Sequence, residues 1–161
     1  MSNVYLSLGS NLGDRKRNLA NAIGEIGRRC GEIDISSSFY VTTPWGFSSP
    51  NDFINSVILV ITTLEPAALL AILKDIELNA GRQAKTKTEY QDRPVDIDIL
   101  FYDDRVVATE QLTIPHPRLH LRLFVLIPLV EIAPQIIHPV FQKTVTDLLR
   151  NCPDHSAVLP F

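Results

Sequence analysis

Cysteine is scarce in this chain. Two residues, Cys30 and Cys152, occur in 161 positions, far apart and with no metal-ligand spacing. The simple expectation is two free thiols in a reducing compartment, with no disulfide framework. Long hydrophobic runs are missing as well. No apolar stretch approaches the ~20 residues of a membrane span, and no leader pattern opens the chain, so a cytoplasmic protein without a membrane partner is expected. Basic charge is not in excess either. A net charge of −3 argues against a general nucleic-acid binder, whose binding face is basic. There is no internal repeat, low-complexity tract or linker. What remains is an ordinary globular composition, 45% hydrophobic and 20% charged, in a chain long enough to bury a core without staples. A single domain over residues 1–161, acting as a monomer, is the expectation.

What the sequence does contain is an alternating acidic stretch, Arg93-Pro94-Val95-Asp96-Ile97-Asp98-Ile99-Leu100-Phe101. Successive side chains of a strand point to opposite faces. Val95, Ile97 and Ile99 would line one face, and Asp96, Asp98 and Leu100 the other. The two carboxylates would stand roughly 7 Å apart along the strand. Mg²⁺ is usually held by one or two carboxylates together with substrate phosphates, so an open Asp pair suits it. Arg93 adds a donor for phosphate oxygens at the same end. The plain alternative is an amphipathic strand with a solvated face. Against that stand the depletion of Asp in strands and the repulsion of like charges side by side.

Around this stretch, Val4 to Leu8 reads as a buried strand. Gly9-Ser10-Asn11-Leu12-Gly13-Asp14 follows as a turn, with Asn11 or Asp14 capping the next helix. It has no Gly-Lys-Ser/Thr and so is not a Walker loop. Leu19, Ala22, Ile23 and Ile26 recur at helical spacing, and Gly31 is placed to end that helix. A second strand is expected over 33–41 and a third over 53–63, separated by a punctuated loop that carries the only tryptophan, Trp45. Asn55 lies inside the third strand, where a buried amide needs partners. Pro66 opens a second helix with Leu69, Ile72, Leu73 and Ile76 as its stripe, and Lys74 and Glu77 on its flank suit a surface ion pair. The polar segment 82–92 fits either a lid over phosphates or a plain surface loop. A short strand at 105–107, His116 held between Pro115 and Pro117, a helix over 121–131 broken near Pro128, a helix capped by Thr144, and a tail over 153–161 complete the chain. The order strand-helix-strand-strand-helix-strand is the split βαβ pattern of an α+β, ferredoxin-like antiparallel sheet. A C-terminal hairpin and helices on the other face would make three layers, αβα.

Six motifs then occur in one order: Gly9-Ser10-Asn11-Leu12-Gly13, Phe39-Tyr40-x-Thr42-x-Pro44, Asp52-Phe53-x-Asn55, Glu77-x-x-x-Gly81-Arg82, Arg93-x-x-Asp96-x-Asp98-Ile99-Leu100 and Pro115-His116-Pro117-Arg118. Together, over about Val4 to Leu149, they closely resemble the 6-hydroxymethyl-7,8-dihydropterin pyrophosphokinases of the folate pathway. The resemblance implies transfer of an intact pyrophosphate from ATP to the pterin hydroxymethyl group, with AMP released. It also implies two Mg²⁺ ions on Asp96 and Asp98. Phe53 and Phe124 would sandwich the pterin, Asn55 would hydrogen-bond its edge, and Thr42 and Trp45 would assist. Lys74, Glu77, Arg93, Ile99, Thr113, His116 and Arg122 would form the nucleotide side, and Arg82 would close over the phosphates.

Some positions depart from the family pattern. Ala84 and then Lys85 stand where a second loop arginine is usual. Tyr90-Gln91-Asp92 replaces a tryptophan and Gly-Pro, Lys74 a glutamine, Gln111 a basic residue, and Pro117 a tyrosine. Every metal and pterin position remains filled. The alternative function is a ferredoxin-like domain that binds pterin or RNA without catalysis.

Overall fold

The computed structural model describes residues 1–81 and 91–161. Among them, strands β1 (Ser2–Ser10), β2 (Glu32–Ser36), β3 (Tyr40–Thr42), β4 (Phe53–Thr62), β5 (Asp96–Tyr102), β6 (Val107–Ala108), β7 (Thr113–Ile114) and β8 (Val158–Pro160) alternate with helices. The helices are α1 (Arg15–Arg29), α2 (Pro66–Asn79), α3 (Leu123–Ile132) and α4 (Val145–Arg150). The main sheet is antiparallel, in the order β5-β1-β4-β3-β8, with β2 also on β4.

The central strands are apolar on both faces, as sandwiched strands must be. Val4, Leu6 and Leu8 of β1 and Ile54, Ile58 and Val60 of β4 pack under Leu19 and Ile26 of α1 and Leu69 and Leu73 of α2. Tyr5, Val57 and Leu59 face the other way, against Leu126 and Leu129 of α3 and Val145 and Leu148 of α4. Helix caps are set locally. Asp14 accepts from the Arg17 N–H, and Thr144 from the Asp147 N–H. The alternation read along 95–100 holds as far as Ile99. There the register slips, with Leu6 opposite Ile99 and Tyr5 opposite Phe101, so a bulge lets Leu100 and Phe101 both enter the second core.

Four expectations are corrected. The single strand over 33–41 is two: the Ser37 N–H still donates to the Val57 carbonyl at 2.8 Å, but the Ser37 hydroxyl, in place of its carbonyl, accepts from the Val57 N–H at 2.9 Å, and the ladder breaks there. Helix α3 runs through Pro128. Burial of Val125, Leu126, Pro128 and Leu129 outweighs the ~3 kcal/mol that an interior proline costs. The β6–β7 hairpin joins the α2 side through Val107, Leu112 and Ile114 rather than covering the opposite face. The tail is not a tail: its residues 158–160 form β8 on the outer edge of β3.

One close approach constrains the turn from α1 into β2. A Cβ on Gly31 would lie 2.1 Å from the Ile61 carbonyl oxygen, which is backbone and has nowhere to go. Gly31→Ala should therefore cost about 1–3 kcal/mol, the usual cost of overpacking. At roughly 2–4 °C per kcal/mol for a chain of this size, the melting temperature should fall by several degrees. An unchanged melting curve would show that the turn relaxes freely.

Candidate active site

On the second face of the sheet, two rows run across β4, β1 and β5: Val57–Ser7–Asp98, and Asn55–Gly9–Asp96. Residues paired in register point the same way, so both acids and Asn55 project from one surface. Gly9 lies between them inside β1, not in the turn expected from the sequence. A Cβ there would come within 2.6 Å of Asn55 Oδ1 and 3.3 Å of the Phe53 ring. Gly9 and Ser7 thus form the floor of a narrow cleft. A glycine inside a strand marks such a close approach, but the strand was expected to end at Leu8.

The walls of this first cleft come from Thr42, Trp45, Phe53, Asn55 and Phe124, the five residues expected around a pterin. Asn55 is buried and its amide donates to Thr42 Oγ1 at 2.5 Å, which fixes the amide's orientation. Phe47, which was not anticipated, meets Phe53 edge to face at 6.2 Å between centroids. An aromatic two residues after the tryptophan of a punctuated loop was the available clue. Arg122 is buried here too, its guanidinium 4.6 Å from the Trp45 ring and 5.5 Å from that of Phe124, a cation–π arrangement.

A second, wider and more open cleft lies on the other side of β5. Lys74 and Glu77 of α2, Ile99 of β5, Thr113 of β7 and His116 line it. Glu77 is buried rather than on a surface flank, and its Oε2 accepts from the Ile97 N–H at 3.0 Å, which occupies one donor of the open edge of β5. His116 Nδ1 accepts from the Arg118 N–H at 3.1 Å. In the neutral ring the proton therefore sits on Nε2, 4.0 Å from Asp98 Oδ2. Asp96 and Asp98 line both clefts. Arg93 and Arg122, expected on the nucleotide side, line the first. Arg82 and the rest of the segment through Tyr90 lie outside the described residues.

Arg93 is only 5% exposed and lies 3.1 Å from Asp96. It is held by Asn11, itself 2% exposed. The Arg93 N–H donates to Asn11 Oδ1 at 2.7 Å, and the Asn11 N–H donates back to the Arg93 carbonyl at 3.1 Å. The Asn11 amide also donates to Asp92 Oδ1 at 2.7 Å, and Asn51 to Asp92 Oδ2 at 2.9 Å. One carboxylate thereby ties together the β1–α1 turn, the loop before β4 and the approach to β5. The Ser49 hydroxyl first, then the two amides and the Arg93 charge, hold the Asp92 carboxyl below its ordinary value, against a smaller opposing effect of burial. Asp92 and Asn51 carried no recognisable motif.

No three His, Cys, Asp or Glu side chains converge among the described residues, and none of their helices is long and apolar enough to cross a membrane.

This architecture of antiparallel sheet and helices recurs in a solved HPPK-DHPS in complex with substrates, with a TM-score of 0.74 at 16% identity. The chain covers 92% of itself in that comparison but 43% of the longer protein, and the likeness concerns the fold alone. Residues 5–134 match the family model for 7,8-dihydro-6-hydroxymethylpterin-pyrophosphokinase. A 2-amino-4-hydroxy-6-hydroxymethyldihydropteridine pyrophosphokinase of Aquifex aeolicus is 41% identical over 143 residues, covering 89% of this chain and 88% of the relative. Its counterpart from Porphyromonas gingivalis is 44% identical over 141 residues, covering 86% and 95%. The chain belongs to the 7,8-dihydro-6-hydroxymethylpterin-pyrophosphokinase family.

The Asp92 junction has a pH signature. Because the folded-state pKa lies below the ordinary 3.8, its stabilisation is present above that value and is lost as the pH falls through the folded-state pKa. Urea unfolding of the wild type and Asp92→Asn should differ at pH 6 and converge as the pH drops below 3.8. A gap that persists unchanged at pH 3 would mean that the carboxylate's charge is not what holds the loops.

Proposed function

We propose that this chain transfers pyrophosphate from ATP to the hydroxymethyl group of 6-hydroxymethyl-7,8-dihydropterin, giving the pterin diphosphate and AMP, as a step of folate synthesis. The observation that carries this reading is the position of Asp96 and Asp98 on the wall shared by two clefts. One is narrow and aromatic, the other open and large enough for a nucleotide. Family membership supports the reaction, and a narrow aromatic cleft beside an open one supports this assignment of its two substrates.

In this reading Phe53 and Phe124 stack on the pterin, and Asn55, oriented by Thr42, hydrogen-bonds its edge, as flat heterocycles are commonly held. Trp45 closes the slot. Lys74, Glu77, Ile99, Thr113 and His116 take the nucleotide, which leaves its β-phosphorus beside the two acids. The pterin hydroxymethyl oxygen bonds to that phosphorus while the bond to the oxygen shared with the α-phosphate breaks, so AMP departs. Such displacements depend on in-line placement and neutralised charge. Arg93 and Arg122 offer forked donors to the phosphates, and Arg82 is assigned the closing role.

Asp96 and Asp98 suit Mg²⁺: both are partly exposed, at 23% and 35% of the side chain, and a pair that no third His, Cys, Asp or Glu joins among the described residues leaves positions for phosphate oxygens and water. Two bound ions would neutralise the phosphate oxygens and hold them in line. We further read the strand-helix-strand-strand-helix-strand core as ferredoxin-like, and the chain as a single catalytic domain over 1–161, monomeric and cytoplasmic.

The direct test is AMP release from ATP and Mg²⁺ with and without the pterin. Pterin-dependent AMP supports transfer; pterin binding with no AMP formed would make the chain a binder. Asp96→Ala and Asp98→Ala should each abolish Mg-dependent turnover while pterin binding stays measurable, whereas equal loss of both would mean that the carboxylates hold the fold. Gly9→Ala, through its clash with Asn55, should weaken pterin binding by about 1–3 kcal/mol, the range for a methyl forced into a filled site. Calorimetry that found wild-type affinity would remove Gly9 from the floor of the slot.

A further inference from the structure

Residues 154–161 lie beyond the stretch matched by the family model, which ends at 134. They touch, at two places, elements that carry walls of the first cleft. Helix α3 begins at Leu123, and its N-cap residue, Arg122, supplies no side-chain cap. The Leu123 N–H is taken instead by Asp154 Oδ2 at 3.0 Å, from a residue 31 positions downstream. The other oxygen of Asp154 is held by the Ser156 N–H at 2.9 Å and its hydroxyl at 2.5 Å, so the carboxylate cannot turn away. Buried donors at a helix start need such an acceptor. This one sits where Arg122 and Phe124 enter the cleft.

The second contact is β8. Val158, Leu159 and Pro160 stand opposite Thr42, Val41 and Tyr40, and the Phe161 N–H donates to the Phe39 carbonyl at 3.0 Å. Opposed residues of antiparallel strands alternate between bonded and non-bonded pairs. With 161 and 39 bonded, 159 and 41 are bonded too, and Pro160 falls at a position that asks for no N–H toward β3. On the outer side of β8 the same proline withholds a donor, which blunts the edge against another chain. Leu159 and Phe161 are 61% and 58% exposed. The segment is therefore held mainly by main-chain hydrogen bonds, not by burial. Without it, β3 would be a three-residue edge strand carrying Thr42, the partner of Asn55.

We propose that residues 154–161 are a positioning strap for the pterin cleft, fixing β3 with Thr42 on one wall and the start of α3 with Arg122 and Phe124 on the other. This rests on the reading of that cleft as the pterin site. The strap touches no reacting atom; it sets the spacing between two walls that must accept a flat ring.

The test uses the full chain carrying Leu159→Pro, which deletes the N–H facing Val41, or Asp154→Ala, which uncaps α3, with Leu159→Ala as a control that keeps the N–H. Calorimetry gives affinity for 6-hydroxymethyl-7,8-dihydropterin and, separately, for a non-hydrolysable ATP analogue with Mg²⁺; melting curves are recorded alongside. Leu159→Pro and Asp154→Ala should each weaken pterin binding roughly tenfold, about the worth of one or two hydrogen bonds, with nucleotide affinity unchanged and Leu159→Ala like wild type. Unchanged pterin affinity in both variants overturns the strap, as does a joint loss of pterin affinity, nucleotide affinity and melting temperature. Should Leu159→Pro fail to fold, Asp154→Ala carries the same comparison. A wild-type chain that binds no pterin overturns the reading of the cleft, and the strap with it.

Discussion

The rest of the structure depends on one register. β1 pairs with β4 on one side and β5 on the other so that Gly9 faces both Asn55 and Asp96. A slip of one residue on either side would send that strand's side chains to the opposite face. The acids would then enter the α1–α2 core, and Ile97 and Ile99 would face the first cleft. The apolar alternation that fixes the core is therefore the same device that aims the polar groups. One surface of the sheet does both jobs. Toward one end Tyr5, Val57, Leu59 and Phe101 pack under α3 and α4, and toward the other Ser7, Gly9, Asn55, Asp96 and Asp98 line the first cleft.

Placing two carboxylates side by side on that surface carries an electrostatic cost, and each acid is given its own neighbour to offset it. Asp96 has Arg93 at 3.1 Å on one flank, and Asp98 has His116 at 4.0 Å on the other. A buried arginine is itself costly unless fixed and paired. The exchange of backbone hydrogen bonds between Arg93 and Asn11 does the fixing, and Asp92 anchors Asn11 in turn. The charge pattern is thus supported outward from the strand through the neighbouring loops. This also revises an inference from sequence alone: repulsion within Asp-x-Asp does not by itself demand a metal, because the fold already supplies Arg93 as a cationic partner of Asp96.

What was legible in the sequence was what repeats at a fixed period or falls in a spaced motif. The alternation through Ile99, the helical stripe of Leu69, Leu73 and Ile76, and the caps at Asp14 and Thr144 could be read directly, because each depends on neighbours within a turn or a strand. The family resemblance that the six motifs carry brought together Thr42, Trp45, Phe53, Asn55 and Phe124, which do meet around one cleft. What escaped was tertiary. The Ser37 hydroxyl interrupts a strand only because Val57 is beside it. Pro128 is tolerated because it and its neighbours Val125, Leu126 and Leu129 are buried. Gly9 looked like a turn residue because nothing local says that Asn55 lies across from it. Asp154 caps a helix 31 residues away, a distance over which no capping signature exists.

The misreading of the C-terminal residues has the clearest physical basis. Pattern reading weighs burial, and Val158 to Phe161 bury little. A strand can nonetheless be held by its main chain, since each antiparallel pair contributes backbone hydrogen bonds whatever its side chains do. Proline is compatible with a strand where the alternation leaves its nitrogen facing away from the partner. β8 meets both conditions. It lies beside the shortest strand of the sheet to bear a cleft residue, and the Asp154 cap lies at the helix start that bears two more. Side-chain chemistry thus selects what the cleft recognises, while backbone hydrogen bonds from an exposed segment brace the walls on which that chemistry stands.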